Sequence, residues 1–421
     1  MPHAAQRRLM SPGRLVAVVC AAQVLVQLGA FFWPALLPGL MQRWSLSNSE
    51  AGWITSSFYA AYMLSVPILV TLTDRVDARR VYLFGVGATV AGHVLFAFAD
   101  GFWWAMGARG LTGLGWAGTY MTGLKLLADQ VDAKMMSRAV TGHAASIGIS
   151  GAASFAVADL IAAVGGWPAA FWTAAATATL ALMIVALLVP GHAPPAPKAD
   201  DGGGLYDFRP VLRNRSAMAY ALAYCIHTLE MNALRGWGVA FLGWVAVSTG
   251  TSTGFLTPTI VVTILGLIGT VASIVGNEAS IRLGRRRLVV IAMLGSIVLA
   301  GSIGFLGPMS YALAVGLITI WGIVVWLDSS SLTAGAAGTA EPSRRGATLA
   351  IHSMLGYAGG FIGPLAVGWT LDAMGGMSQP GWGAAFGLIA VLMLAALGAF
   401  IAIRPRELAG DRGADSSPAS R

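Results

Sequence analysis

Charge is scarce in this chain. One residue in ten is Asp, Glu, Lys or Arg, and 56% of the 421 residues are hydrophobic. Soluble proteins carry roughly 25% charged residues, so a soluble fold is excluded. Cysteine is rarer still: Cys20 and Cys225 both lie inside apolar runs, which leaves neither a disulfide framework nor a Cys-based metal site. His93, His143 and His352 are scattered over three runs without metal-ligand spacing. Hydrogen bonding between helices suits them better, and no metal or cofactor is expected. Gly202-Gly203-Gly204 lacks a following Lys-Ser/Thr pair and a preceding strand, so it is no phosphate loop and no ATP drive is encoded. No nucleophile or cofactor cluster points to an enzyme. The formal net charge of +8 sits in short loop clusters, which suit an anionic lipid leaflet and give no reason to invoke nucleic acid.

Long apolar runs are what the chain does have. A membrane span needs about 20 mostly apolar residues, and twelve runs qualify: 15–41, 50–72, 81–99, 102–128, 137–164, 167–189, 216–248, 254–276, 288–307, 309–333, 346–372 and 382–403. The first follows Arg7, Arg8 and Arg14 but exceeds the ~7–15 apolar residues of a cleavable signal; it is read as a retained span. Threading the runs as alternating crossings puts nearly all basic residues on one side, including Arg75, Lys125, Lys134, Arg138, Lys198, Arg209, Arg287, Arg344, Arg345, Arg404 and Arg421. Only Arg43 falls opposite, while Arg109 and Arg235 lie within runs. Basic residues stay cytoplasmic, so both termini are expected in the cytoplasm of an inner-membrane protein. Trp33, Trp44, Trp53, Trp103, Trp104, Trp167, Trp244 and Trp382 fall near the predicted outer ends, as an interfacial aromatic belt would.

A Pro/Gly-rich polar stretch divides the chain. Residues 190–215 hold Pro190, Pro194, Pro195, Pro197, Asp200, Asp201 and the glycine triplet, the composition of a linker. The expected organisation is a six-helix bundle over 1–189, a cytoplasmic linker over 190–215, a second bundle over 216–403 and a cytoplasmic tail over 404–421. That tail, polar after Pro405, is expected to be disordered. The halves echo one another: a basic loop follows the second span of each, Asp74-Arg75-Val76-Asp77-Ala78-Arg79-Arg80 and Arg282-Leu283-Gly284-Arg285-Arg286-Arg287. His143 opens a small-residue fifth span and His352 a Gly-rich eleventh. Six-plus-six repeats around a midplane site characterise many secondary transporters.

At these loops the chain resembles the major facilitator superfamily over nearly its whole length. That family's loop reads Gly-x-x-x-Asp-Arg-x-Gly-Arg-Arg; Asp74, Arg75, Arg79 and Arg80 match, while Val70 and Asp77 replace the glycines. The second copy keeps Arg282, Gly284, Arg285 and Arg286 but has Ile281 in place of the acid. The fourth-span pattern Arg-x-x-Gln-Gly-x-Gly is met by Arg109, Gly113 and Gly115, with Thr112 for Gln, and Gly363-Pro364 and Asp372 give the eleventh span the family look. The fifth span lacks the Gly-Pro signature of drug/proton antiporters. The resemblance implies an all-α membrane protein of two pseudo-symmetric six-helix bundles.

It also implies roles. Asp74 would latch the halves while the cytoplasmic exit is closed, favoured by the positive end of the eleventh helix. Arg75, Arg79 and Arg80 would pair with nearby acids or lipid phosphates, or serve topology alone. Without an acid, Arg282, Gly284 and Arg285 are latch candidates that topology also explains. Arg109 takes a proton-coupling role from the family; the alternative is a buried ion pair. Charges in hydrocarbon cost roughly 2.5–3.5 kcal/mol on insertion scales, which draws attention to the seventh span: His227, Glu230, Asn232 and Arg235. His227 and Glu230 share a helix face, and Glu230 is the leading candidate for the protonated site. Arg235 lies about 140° round from Glu230 on a regular helix; a break near Gly236 and Gly238 would bring the two together. Asp159 and Asp328 are further proton-station candidates, or end groups. Gln23 and Gln27 share a face of the first span, and with Tyr120, His227, Asn232, Arg235 and Trp237 they make the candidate cavity wall; helix packing is the plainer role for each.

The expected function is secondary active transport by alternating access, coupled to protons, with spans one, four, seven and ten around the cavity. Uptake of a small organic or anionic solute by symport leads; proton-driven efflux of a drug or metabolite is the alternative, and a channel or membrane sensor is less favoured. Partners are the solute, protons and lipids, and the protein is expected to act as a monomer.

Overall fold

The structure, a computed structural model, describes residues 10–192, 208–341 and 344–412; the side chains at 133, 134 and 137 lie outside it. Arg7, Arg8, Lys198, Arg421, the Lys134 side chain, the linker stretch 193–207 and the tail from 413 onward are therefore outside the described residues. Among the described residues all regular structure is helical: α1 Pro12–Gln27, α2 Phe32–Trp44, α3 Asn48–Leu72, α4 Ala78–Ala97, α5 Phe102–Ala128, α6 Ala133–Leu188, α7 Arg209–Arg213, α8 Arg215–Ser248, α9 Pro258–Leu283, α10 Arg285–Leu306, α11 Tyr311–Leu327, α12 Ser329–Thr339, α13 Arg345–Ala373 and α14 Gln379–Ile403. Nine helical stretches among them are long and apolar enough to cross a membrane on composition alone. One of the nine is two spans joined at Gly166, whose φ of 75° turns the chain inside α6, a value glycine takes without a Cβ clash. The more polar α5 and α8 complete twelve crossings. This is a multi-pass membrane protein.

Short polar residues start these helices. Asp77, Asp132, Asn214, Thr257, Ser310 and Ser378 each accept a first-turn N–H, which removes donors that a membrane-edge helix would otherwise leave open. Once started, the helices are apolar on most faces. Large side chains such as Leu64, Ile68, Leu160, Val164, Leu187 and Val298 stay exposed around the outside, as lipid contact demands. Two of the predicted interfacial tryptophans are corrected: Trp33 and Trp382 are fully buried. Trp33 donates to Thr55 Oγ1 at 2.9 Å, and Trp382 stacks with Phe386.

Two crossings are broken. Between α1 and α2, residues 28–31 leave the helix, and the freed carbonyls find side-chain donors: Ser154 Oγ on Leu28 O and Arg109 Nη1 on Ala30 O at 2.9 Å. Irregular backbone at membrane depth survives only with such partners. The second break is Asp328, between α11 and α12. The break expected in the seventh span is absent: α8 runs without interruption from Arg215 to Ser248. Gly236 and Gly238 instead let neighbours approach, the first against Thr55 and Pro364, the second against Val262 and Ile318.

The helices before the linker form one bundle and those after it another. They meet where α3 runs along α13, the first half of α6 along α9, and α2 against α8. One mouth of the molecule, here the linker face, holds the helix ends at Leu72, Leu188, Arg213, Leu283 and Arg345; the opposite mouth is the far face. Towards the far face a single apolar core spans both bundles, from Trp33 and Tyr59 to Trp237 and Trp382. Towards the linker face each bundle has its own core, one around Tyr82, Leu126 and Val185, the other around Tyr220, Leu332 and Phe400. At the far face the Asn48 and Ser49 N–H groups donate to Asp372 at 3.0 and 2.7 Å, followed at depth by Ser56 to Phe361 O at 2.6 Å and Tyr59 to Asn232 at 2.7 Å. The molecule is closed at the far face and its halves part towards the linker.

Candidate functional site

Most of the ionisable groups at membrane depth converge on α8 and its neighbours. His227 and Glu230 occupy successive positions of one helix face, as the i, i+3 spacing requires. His227 Nδ1 stands 2.9 Å from Asp328 Oδ1, both side chains buried. The two atoms approach without hydrogen-bond alignment. Glu230 accepts from Trp321 Nε1 at 2.5 Å. On the other side of His227 the Tyr224 ring stacks between it and His352, with centroids 5.5 and 4.0 Å away. His352 Nε2 in turn lies 3.1 Å from Thr333 Oγ1. Two carboxyl groups and two imidazoles from α8, α13 and the α11–α12 break thus lie in one buried cluster. Sequence reading paired His227 with Glu230 but left Asp328 and His352 apart; what it missed was Tyr224 as the link to His352 and the bond from Trp321, which it offered only as an aromatic wall, to Glu230.

Arg235, further along α8, is separated from Glu230. Its guanidinium carbon lies 5.1 Å from the Phe31 ring centroid and 4.9 Å from that of Trp326. It lines an inter-bundle cavity of about 20 Å³ with Phe155, Met231, Leu265 and Val325 among the walls. Arg109 sits in the first bundle, 2% exposed, over the Phe58 ring at 4.6 Å. It donates to the Ala30 carbonyl freed by the first break. Neither arginine meets a carboxylate among the described residues, so the buried-ion-pair alternative for Arg109 is replaced by a cation on a carbonyl and a ring.

The remaining candidates divide by location. Asn232 joins the bundles through Tyr59, and its amide donates to Thr228 O at 2.8 Å. Asp159 also reaches across, accepting from Thr259 at 2.7 Å nearer the far face. Gln23 accepts from Tyr82 at 2.9 Å inside the first bundle. Gln27 lines a second cavity of about 10 Å³ with His93, Thr89 and Trp116. Tyr120 offers its carbonyl to His143 at 3.0 Å. Trp237 is fully buried and donates to Pro364 O at 2.8 Å. Gln23 and Trp237 therefore serve helix packing here, away from the inter-bundle cavity. Tyr357 was not signalled by the sequence: it stacks on Tyr62 at 3.5 Å and accepts from Trp116 at 3.2 Å, closing the midplane from the α13 side.

Residues 19–364 and 261–420 match the Major Facilitator Superfamily. The chain belongs to that superfamily. It is 26% identical over 248 residues to human protein spinster homolog 1, covering 55% of this chain and 47% of that relative. The chain spans about half the length, or less, of the curated spinster relatives it matches. A bacterial homolog to the human lysosomal transporter Spinster, in an inward-facing and occupied conformation, aligns at TM-score 0.75 and 15% identity, over 93% of this chain and 96% of that one. Nucleoside transporter NupG aligns at TM-score 0.73 and 15% identity, over 93% and 99%. At such identities the likeness carries the fold and leaves the solute open.

The superfamily's loop motif can now be placed. Asp74 and Arg75 are exposed on the linker face. Asp77 caps α4 through Arg79 N at 2.9 Å and accepts from His192 N at 3.2 Å, tying the linker's start to the loop. Arg79 donates to the Val185 and Ala186 carbonyls at 3.4 and 2.5 Å, the terminal carbonyls of α6, where a cation is favoured. Arg80 is exposed. In the second copy Arg282 makes an exposed pair with Glu278 at 2.9 Å, and Gly284 takes φ 93° at the start of α10. Arg285 is different. It is 2% exposed and forks onto Asp411 at 2.9 and 3.1 Å, with further donations to Asn277 and Ser331 O at 3.1 Å. The disordered tail expected after Pro405 is thereby corrected for residues up to 412. Glu407 accepts from the Arg285 and Arg286 N–H groups at 2.9 and 3.1 Å, and Arg412 N donates to Ile281 O at 2.9 Å. Carboxylates thus reach this loop from Glu407 and Asp411, on Arg285 and Arg286 rather than at position 281.

Proposed function

We propose that this superfamily member is a proton-coupled secondary transporter that takes up a small organic anion by symport. The observation that carries the reading is the buried His227–Asp328–Glu230 cluster on the helix that also brings Arg235 to the inter-bundle cavity. Protons and solute would then bind one and two turns apart on α8. The bundles of 1–189 and 216–403 rock about the midplane, with the linker of 190–215 and the tail of 404–421 on one side. The basic bias of the linker face supports a cytoplasmic location for it and for both termini in the inner membrane. Asp328 occupies the break of the tenth span, so charging it alters the joint between α11 and α12. Arg109 holds the other broken span through Ala30 and steadies the wall opposite. Asp159 contributes to far-face closure rather than to proton transfer.

The test is solute accumulation in proteoliposomes under an imposed proton gradient. Glu230→Gln and Asp328→Asn should each abolish gradient-driven accumulation while leaving exchange of solute between equal pools. Accumulation that persists in both variants removes the cluster from the coupling scheme. Accumulation driven by a proton flow in the opposite direction replaces symport by antiport.

A further inference from the structure

The reading of Arg235 as a wall of the transport cavity also limits the solute, and the limit rests on that reading. Phe31 belongs to the first bundle and Trp326 to the second, and the guanidinium carbon lies over both rings, 5.1 and 4.9 Å from their centroids. A guanidinium binds rings with its faces and hydrogen-bond acceptors with its edge. Arg235 is held between two rings, and no described residue accepts a hydrogen bond from its guanidinium. Arg109, by contrast, is built into the fold by its bond to Ala30 O. The donors of Arg235 are kept for something that arrives and leaves. The surrounding walls, including Phe155, Met231, Val262 and Leu265, are apolar apart from the indole N–H of Trp326.

We infer that the transported solute is a monocarboxylate with a compact apolar body, admitted when the bundles part and widen this water-sized cavity. The planar fork of the guanidinium matches two oxygens of one carboxylate, and a single cation in the cage calls for a single negative charge. Several hydroxyls placed against these walls would lose their water and find at most the Trp326 indole N–H as a partner, which disfavours sugars, nucleosides and polyhydroxylated acids. The cage also joins the two joints of the fold. Phe31 closes the break of the first span, and Trp326 lies two residues before Asp328. A carboxylate on Arg235 therefore bears on both bundles, and on the residue that would carry the proton.

The experiment is equilibrium binding to the purified full chain in lipid nanodiscs, read by tryptophan fluorescence and by thermal unfolding, with no gradient present. The probes are benzoate, phenylacetate and hexanoate, set against benzamide, gluconate and uridine. At least one apolar carboxylate should bind saturably and at least tenfold more tightly than the neutral, hydroxylated or nucleoside probes. Arg235→Gln should weaken it tenfold or more and Arg235→Lys several-fold. Should Arg235→Gln fail to fold, Trp326→Leu, which keeps the cation and the apolar wall, should weaken binding at least threefold. Equal or tighter binding of gluconate or uridine overturns the inference, as does no saturable binding of any apolar carboxylate. Unchanged affinity in the folded Arg235 or Trp326 variants overturns it too. Because binding is read without a gradient, loss of proton coupling would sink the symport reading and leave this result standing.

Discussion

The two basic loops have kindred sequences and opposite mechanical situations. In the first, Asp77 and Arg79 are consumed in tying the loop to α4, to the end of α6 and to the start of the linker. Asp74 and Arg75 are left exposed. In the second, the central cation is itself buried and locked by a carboxylate from the chain's end. Arg285 fastens α9 through Asn277, α12 through Ser331 O and the tail through Asp411. The tail continues the clamp to α8, where Tyr220 donates to Arg406 O at 3.0 Å and Arg406 N to Ser216 at 3.1 Å. A free acid in one loop can exchange partners as the bundles move. A neutralised cation in the other cannot, so the second loop is a fixed joint within its own bundle.

The largest effect is expected at Asp411. Removing one partner of a buried ion pair typically costs about 3–5 kcal/mol, so Asp411→Ala should lower the thermal unfolding midpoint by several degrees in detergent, with truncation before Arg406 at least as damaging. An unchanged midpoint in both would make the second loop as free as the first. Asp74→Asn is the counterpart. It should leave the midpoint in place and slow turnover up to about fivefold, the rate equivalent of the ~0.3–1 kcal/mol between a charge and a helix end. Solute binding should be retained; normal turnover would reduce Asp74 to a topology signal. A sharper version places Ile281→Asp in the tail-truncated chain. If the tail stands in for the missing acid, this change should restore about 1 kcal/mol of the lost stability; further loss of stability would reject the substitution idea. The most local effect is expected at Arg79→Ala, about 0.5–1.5 kcal/mol for the lost carbonyl contacts, visible as faster hydrogen exchange near residues 185–189.

Much of the architecture was legible because bilayer thickness imposes a length on each apolar run, and the turn at Gly166 fell between two of them. The ionisable residues of α8 were legible for a related reason: a charge in hydrocarbon needs a purpose. Misplaced was the break. Gly236 and Gly238 looked like a hinge, yet glycine in a packed membrane helix keeps its backbone bonds and admits neighbours. The actual breaks sit where other side chains take the released carbonyls, and Arg109 and Ser154 are remote in sequence from the carbonyls they serve. The Arg285 lock was illegible for the same reason, since Asp411 lies 126 residues away in a stretch whose composition reads as solvated. Tyr59, Tyr357 and Trp326 carried no signal beyond being aromatic in an apolar run.

Asp372 gives the far mouth a distinctive chemistry. Its two oxygens take the Asn48 and Ser49 amides and the Asn48 side chain, so a carboxylate of one bundle completes the first turn of a helix in the other. Parting the bundles there would hand an anion and three donors to solvent together. Opening outward is then a rehydration step, and whatever competes for that carboxylate, from divalent cations to acid, would tilt the resting balance of the two mouths.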